Sequence, residues 1–253
     1  MALDPMHQFK IKALVPIEIP IGDKVLDISF TNASLYMAIS VFAIIAFLLI
    51  GSSRRALVPG RTQSLAEISY QFIASLVRDT VGTDGMQFFP FIFTIFSFIL
   101  TCNMLGMTPY AFTVTSQIIV TFSLALGVFL TVILLGVYKH GFGFLKLFVP
   151  SGVPLVLMPL IVPIEIFSFL TRPVSLGIRL FANMLAGHIM LKVFAGFIIM
   201  MSAAGLIGYL GAIGPMVMTI AITALEVLVA FLQAYVFAIL ASIYLHDALH
   251  PGH

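Results

Sequence analysis

Between Asp84 and Lys139 the chain runs for 54 consecutive residues, 85–138, without one Asp, Glu, Lys or Arg. A soluble domain keeps about 25% charged residues to cover its surface, so a stretch like this cannot be solvated. A helix crossing the ~30 Å hydrocarbon core needs about 20 apolar residues, and the stretch holds two such crossings. "GMTPYAF", with Pro109, supplies the break, which makes 86–138 a two-span hairpin. The same pattern occurs earlier. Residues 28–53 carry no formal charge, which predicts a first span over 31–53, with "TNAS" as its capping residues. Arg54, Arg55 and Arg61 follow that span directly, and Lys139, His140 and Lys146 follow the hairpin. Basic residues collect on the cytoplasmic side. The N-terminal segment, 1–30, is therefore expected outside and the terminal "HDALHPGH" in the cytoplasm. Composition points the same way: 61% hydrophobic, 9% charged, mean hydropathy +1.16. A net charge of +2 gives no case for nucleic acid, and the single Cys102 rules out an internal disulfide or a multi-Cys metal site. No cofactor and no metal are expected. The first 27 residues are mixed polar and do not read as a cleavable signal.

Residues 62–83 break the pattern. Leu65, Ile68, Phe72, Ile73, Leu76, Val77 and Val81 share one helical face, while Glu67, Gln71, Arg78 and Asp79 lie around the rest. Ser64 and Glu67 have capping-box spacing. A strongly amphipathic helix of this kind lies in the interface rather than crossing; a surface helix packed on protein is the plainer alternative.

After Lys146, Pro150, Pro154, Pro159 and Pro163 are expected to break helix. From Ile164 to about Met201 the pattern is helical, interrupted at Pro173. At 1.5 Å per residue that is roughly 57 Å, too long for one upright span, so the helix is tilted, bent or split. Gly205, Gly208, Gly211, Gly214 and Pro215 form the next expected break, and a last helix runs from about Met216 to Leu245. The fold class is all-α and polytopic: about five membrane-embedded helices plus one interfacial helix, in a single membrane domain. The last two helices, within 160–248, are long and strongly tilted as a hairpin.

Glu165, Arg172, Arg179, His188, Lys192 and Glu226 are the ionisable residues inside this last part. Each costs several kcal/mol in lipid, on scales that disagree, and so marks a functional candidate. Glu165, Arg172 and Arg179 are seven apart and form one stripe, each step about 10 Å along the axis. Asn183 lies one turn beyond Arg179 on the same face. His188 is nine beyond, about half a turn round. Glu226 and Gln233 share a face of the last helix, which in a hairpin sets Gln233 near Arg179 or Asn183, and Glu226 near His188. Plainer roles stand beside these. Glu165–Arg172 also reads as a structural ion pair and Lys192 as a snorkelling lysine. His188 also reads as a packing residue, and Asn183 and Gln233 as glue between helices. Arg179 has the weakest plain reading, because its charge cannot be removed by deprotonation. Its counter-charge must come from a ligand or from another chain. Gly177, Ala182, Ala186 and Gly187 would let another helix pass close. His188 and Glu226 can both take and release protons, which suits a hydrated path.

"RPVSLGIRLFANMLAGH" resembles the signature of subunit a of rotary F-type ATP synthases. "ALEVLVAFLQAYVFAILASIYL" is similar to that family's last helix, "CNMLGMTPYAFTVTSQI" to its central hairpin, and "DPMHQF" to the N-terminus of bacterial members. The resemblance implies a static subunit whose hairpin packs against a ring of c subunits, with b-type peripheral-stalk subunits and membrane lipid as further partners. It implies that Arg179 faces each passing c-subunit carboxylate and blocks leak between two half-channels, with Asn183 and Gln233 as polar neighbours. His188 and Glu226 fall on a pair tied to one half-channel, and Glu165 on an acid tied to the other. Arg172 and Asn103 are weaker candidates. Many bacterial members exchange the acid and the histidine between the positions of His188 and Glu226; this chain has the mitochondrial arrangement. Some bacterial members also carry an acid in the hairpin where this chain reads "NMLGMTPY". The implied location is the bacterial inner membrane, with the mitochondrial inner membrane as the alternative. The chain is not expected to be an enzyme by itself. The rival function is a stand-alone anion or proton-coupled transporter with Arg179 as its substrate site. The concentration of breaks and charges in one half disfavours it, since transporters commonly repeat such features in both halves.

Overall fold

A computed structural model describes residues 9–21, 24–53, 56, 58–108, 111–148 and 157–250. Arg54, Arg55, Pro109, Pro150, Pro154 and the residues before Phe9 lie outside it. Among the described residues, besides three short 3-10 segments (Thr83–Phe88, Val114–Ser116 and Gly141–Phe148), the elements are four short strands and six α-helices: β1 (Ala13–Val15), β2 (Glu18–Ile21), β3 (Lys24–Asp27), β4 (Phe30–Thr31), α1 (Asn32–Ser53), α2 (Arg61–Val81), α3 (Phe89–Gly106), α4 (Ile118–His140), α5 (Met158–Ser202) and α6 (Gly205–Leu249). Five helical segments are long and apolar enough to cross a membrane, and α2 is not among them. The chain is an all-α polytopic membrane protein.

The strands were not legible in the sequence. β1 pairs antiparallel with β4, and β2 with β3. The β1–β4 pair delivers the chain to α1, where Thr31 Oγ1 accepts the Ser34 N–H at 3.3 Å and Asn32 Oδ1 accepts the N–H groups of Ala33 and Lys12. The "TNAS" cap therefore forms, and its asparagine also ties down the strand before it.

α2 begins earlier than the capping-box spacing implies. Its N-cap is Gly60, which makes no side-chain cap bond, so Ser64 lies inside the helix and donates its backbone N–H to Gly60. Glu67 is then free to accept from Gln63 Nε2 at 2.8 Å. Of the apolar face, Ile73, Leu76, Val77 and Val81 are buried against protein, whereas Leu65 and Ile68 stay exposed.

The proline and glycine breaks in the last part do not occur where the sequence suggests. Pro159 sits in the first turn of α5, where a missing N–H costs nothing. Pro163 and Pro173 lie inside a helix of 45 residues that runs on through both. Gly208, Gly211, Gly214 and Pro215 lie inside α6, also 45 residues. The break shrinks to Ala203–Ala204 and Gly205, whose φ of +78° suits a residue without a Cβ. In lipid an opened backbone has no water to satisfy it, so continuing the helix around a proline is cheaper than unwinding it. Each helix is about 68 Å long at 1.5 Å per residue.

By internal packing the chain divides into two compact units: Met1–Ala46, Phe98–Gln117 and Leu180–Gln233 form the first, and Phe47–Ser97, Ile118–Arg179 and Ala234–His253 the second. In the first, Cys102 Sγ donates to Ser40 Oγ in a buried contact between α3 and α1. In the second, Phe72 packs on Phe96 and Tyr235, and Phe129 on Phe169.

Candidate functional site

In the first unit, His188 of α5 meets Glu226 of α6. Nδ1 lies 2.9 Å from Oε1, an ion-pair distance without the alignment of a hydrogen bond. Both side chains are almost fully buried. Glycine makes the approach possible. A Cβ on Gly187 would stand 2.8 Å from Glu226 Oε1 and 3.2 Å from its carboxyl carbon, so any larger residue would push the carboxylate away. Of the four small residues expected to let a helix pass, Gly187 thus admits a side chain instead, while Ala182 and Ala186 stay exposed. Gly177, in the second unit, serves a helix: its Cβ would meet the Phe122 Cα at 3.0 Å, where α4 crosses.

The pair and two further buried residues of the same unit, Asn103 and Thr115, keep unused hydrogen-bonding capacity. Asn103 at the end of α3 donates Nδ2 to the Ala230 carbonyl at 3.1 Å, one turn beyond Glu226, while its Oδ1 accepts nothing. Among the described residues Thr115 Oγ1 is buried with no hydrogen-bond partner, and so are His188 Nε2 and both Glu226 oxygens, the ion-pair contact of Oε1 with His188 apart. A buried polar group left unpaired costs about 1–3 kcal/mol, and native proteins carry few. In this unit they include a carboxylate and an imidazole, the two side chains that exchange protons most readily. Asn103 was a weak sequence candidate. Thr115 was missed, because a threonine in an apolar hairpin tip carries no pattern of its own.

Asn183 and Gln233 are half-buried in the same unit, and no hydrogen bond joins them among the described residues. Lys192, one turn beyond His188, is half-buried with Nζ 5.5 Å from the centre of the Phe9 ring.

The second unit holds the stripe of arginines. Arg172 Nη1 donates to Asp247 Oδ2 at 2.9 Å, and Nη2 lies 3.9 Å from Glu165 Oε1. Its guanidinium also lies 5.5 Å from the Phe169 ring centre and 5.1 Å from that of Tyr244. The Glu165–Arg172 pair exists but is loose, and the tight partner is Asp247. Asp247 is the one acid after Glu226 and carries no pattern in the sequence that sets it against Arg172; within the second unit the last turns of α6 bring it there. Arg179 differs. It is exposed, and among the described residues Nη2 donates to Ser175 Oγ at 3.5 Å on its own helix. Within its unit, no carboxylate among the described residues pairs with it; Glu165 and Asp247 are both turned to Arg172. No group of His, Cys, Asp and Glu among the described residues is arranged to hold a metal.

The chain is similar throughout its length to proteins named ATP synthase subunit a. It is 61% identical to the one from Chelativorans sp. (strain BNC1) over 253 residues, covering all of both chains. It is 62% identical over 252 residues to those from Rhizobium meliloti (strain 1021) and Sinorhizobium medicae (strain WSM419), covering all of this chain and 99% of each of theirs. The family model described as ATP synthase A chain matches residues 34–246. That match takes in both arginines, the His188–Glu226 pair and Asn103, and with identity above 60% from end to end the chain belongs to the ATP synthase A chain family.

Proposed function

We propose that this chain is the static, ion-conducting subunit of a rotary ATP synthase, working as a single membrane domain against a ring of c subunits. It carries no catalytic step itself. Arg179 engages the ionised carboxylate of each ring subunit as it passes and keeps protons from leaking between two half-channels. His188, Glu226 and Asn103 serve one half-channel, with Asn183 and Gln233 as polar neighbours of Arg179. Glu165 serves the other, with Arg172 beside it. The observation that carries this reading is the contrast along α5. Arg172 is held by two carboxylates of its own chain, while Arg179, two turns on, is exposed and pairs with none in its unit among the described residues. A guanidinium cannot shed its charge, and an apolar helix cannot tolerate it idle, so its carboxylate comes from another chain.

Coupling follows from that encounter. Each proton crossing 100 mV releases about 2.3 kcal/mol. That energy drives rotation only if the proton must travel with the ring. A fixed positive charge at the interface favours a deprotonated ring carboxylate there, so a proton must leave on one side and be replaced on the other. The buried imidazole–carboxylate pair suits handing protons toward the ring, because both partners exchange them. Peripheral-stalk b-type subunits and lipid are the other partners. The location is a bacterial inner membrane, with the N-terminus outside and the C-terminus cytoplasmic, from the basic residues after the first span and the hairpin.

The test is Arg179→Ala in the complete synthase. Proton-driven ATP synthesis in membrane vesicles should fall to background while ATP hydrolysis by the soluble sector continues. Synthesis at the parental rate would overturn the proposal.

A further inference from the structure

Phe9 is the one buried residue in an otherwise exposed run. Residues 10–17 all lie open, whereas Phe9 is 9% exposed. Two fasteners put it there. Asn32 accepts the Lys12 N–H and donates to the Lys10 carbonyl, which ties the segment to the start of α1. Gln117, just before α4, donates Nε2 to the Phe9 carbonyl at 2.9 Å. The ring then lies against α5 at two residues one turn apart: its centre is 6.4 Å from that of the His188 imidazole, at 37°, and 5.5 Å from Lys192 Nζ. Everything involved belongs to the first unit.

We infer that Phe9 is a positioning residue for the His188–Glu226 pair. It holds the imidazole turned with Nδ1 toward Glu226 and shields that side of the pair from direct hydration. The inference rests on the proposed role of the pair in proton transfer. An imidazole on a helix turns about its side-chain bonds unless something packs on its face. Here Glu226 contacts one edge of the ring, and Phe9 packs near it. A benzyl side chain offers no hydrogen bond, so it restrains the imidazole without competing for its protons. It also keeps water from that side of the pair, and charges interact more strongly where water is excluded. Lys192 over the phenyl ring supplies a further restraint, since a cation over an aromatic face holds the ring by its quadrupole.

The test uses the complete synthase in inverted membrane vesicles, with Phe9→Ala, Phe9→Leu and Gln117→Ala. The first readout is the labelling rate of His188 by diethyl pyrocarbonate, followed on its own peptide by mass spectrometry, with His140 as internal control. Phe9→Ala should raise that rate about tenfold and Gln117→Ala less, while Phe9→Leu stays near the parental rate. The second readout is ATP-driven proton pumping across pH. Phe9→Ala should lower it by about tenfold, less than the ~100-fold that misplacing a reacting group by 1 Å can cost, and should displace its pH profile; Phe9→Leu should restore both. A parental labelling rate at His188 in Phe9→Ala, or an unmoved pH profile, overturns the inference. If Phe9→Ala prevents assembly, Gln117→Ala decides by the same two readouts. Failure of the underlying reading looks different: His188→Ala would then pump normally, while labelling would still respond to Phe9.

Discussion

Arg172 and Arg179 stand on the same stripe of one helix, two turns apart, and the structure treats them oppositely. Arg172 is bonded to Asp247, within ion-pair reach of Glu165 and set beside two aromatic rings. Among the described residues Arg179 reaches only a serine hydroxyl, at 3.5 Å on its own helix. The residue type is the same and so is the helix, so the difference lies in what the rest of the chain supplies. α6 brings an acid to the first arginine. For the second, the described residues of the same unit offer none. A cation satisfied by its own chain holds helices together. One left unsatisfied on an apolar helix is available to a carboxylate that arrives and leaves.

That contrast can be broken by experiment. The largest effect belongs to Arg179→Ala, which should abolish proton-driven synthesis. Glu226→Gln comes next. It keeps the shape but removes proton exchange, and general acid–base groups contribute typically 10²–10⁴-fold. Proton flux through reconstituted vesicles should therefore drop by about 10²-fold and lose the pH dependence of the parent; unchanged flux at every pH would take Glu226 out of the path. Gly187→Val touches neither charge, but its side chain would crowd Glu226 Oε1. It should slow the same flux by about tenfold and leave the amount of assembled complex unchanged, whereas parental flux would show that the carboxylate tolerates displacement. The smallest effect is assigned to Arg172→Ala. Its partners are partly exposed, so their loss costs on the order of 1 kcal/mol or less. Heat resistance of the assembled complex should decline slightly while synthesis stays within about twofold. If Arg172→Ala stops synthesis as completely as Arg179→Ala, the distinction between the two arginines collapses.

Much of this is legible in the sequence alone. Charge-free runs of 26 and 54 residues can only be membrane-embedded, since backbone and side chains alike would otherwise lack solvation. The seven-residue stripe of Glu165, Arg172 and Arg179 follows from the helical repeat. The approach of Glu226 to His188 follows from placing two long helices in a hairpin. The prolines and glycines misled, because breaker propensities measured in water do not carry over to lipid, where an unwound turn has nothing to bond to. Asp247 was passed over for a different reason: it lies at the chain's polar end, where an acid needs no explanation. Thr115 and Phe9 gave no signal, as a threonine in a hairpin and a phenylalanine among 24 are ordinary.

The sequence by itself determined the medium, the class of fold, the helical faces and which charges lack a neighbour on their own helix. These depend on local composition and on a fixed rise and rotation per residue. The tertiary structure decided which charges find partners from elsewhere. Whether Arg172 holds Glu165 or Asp247, whether Gly187 admits a carboxylate, and whether Phe9 lies on His188 depend on distances between segments far apart in the chain. No local rule encodes those distances, and an ångström in them separates a bonded pair from a free one.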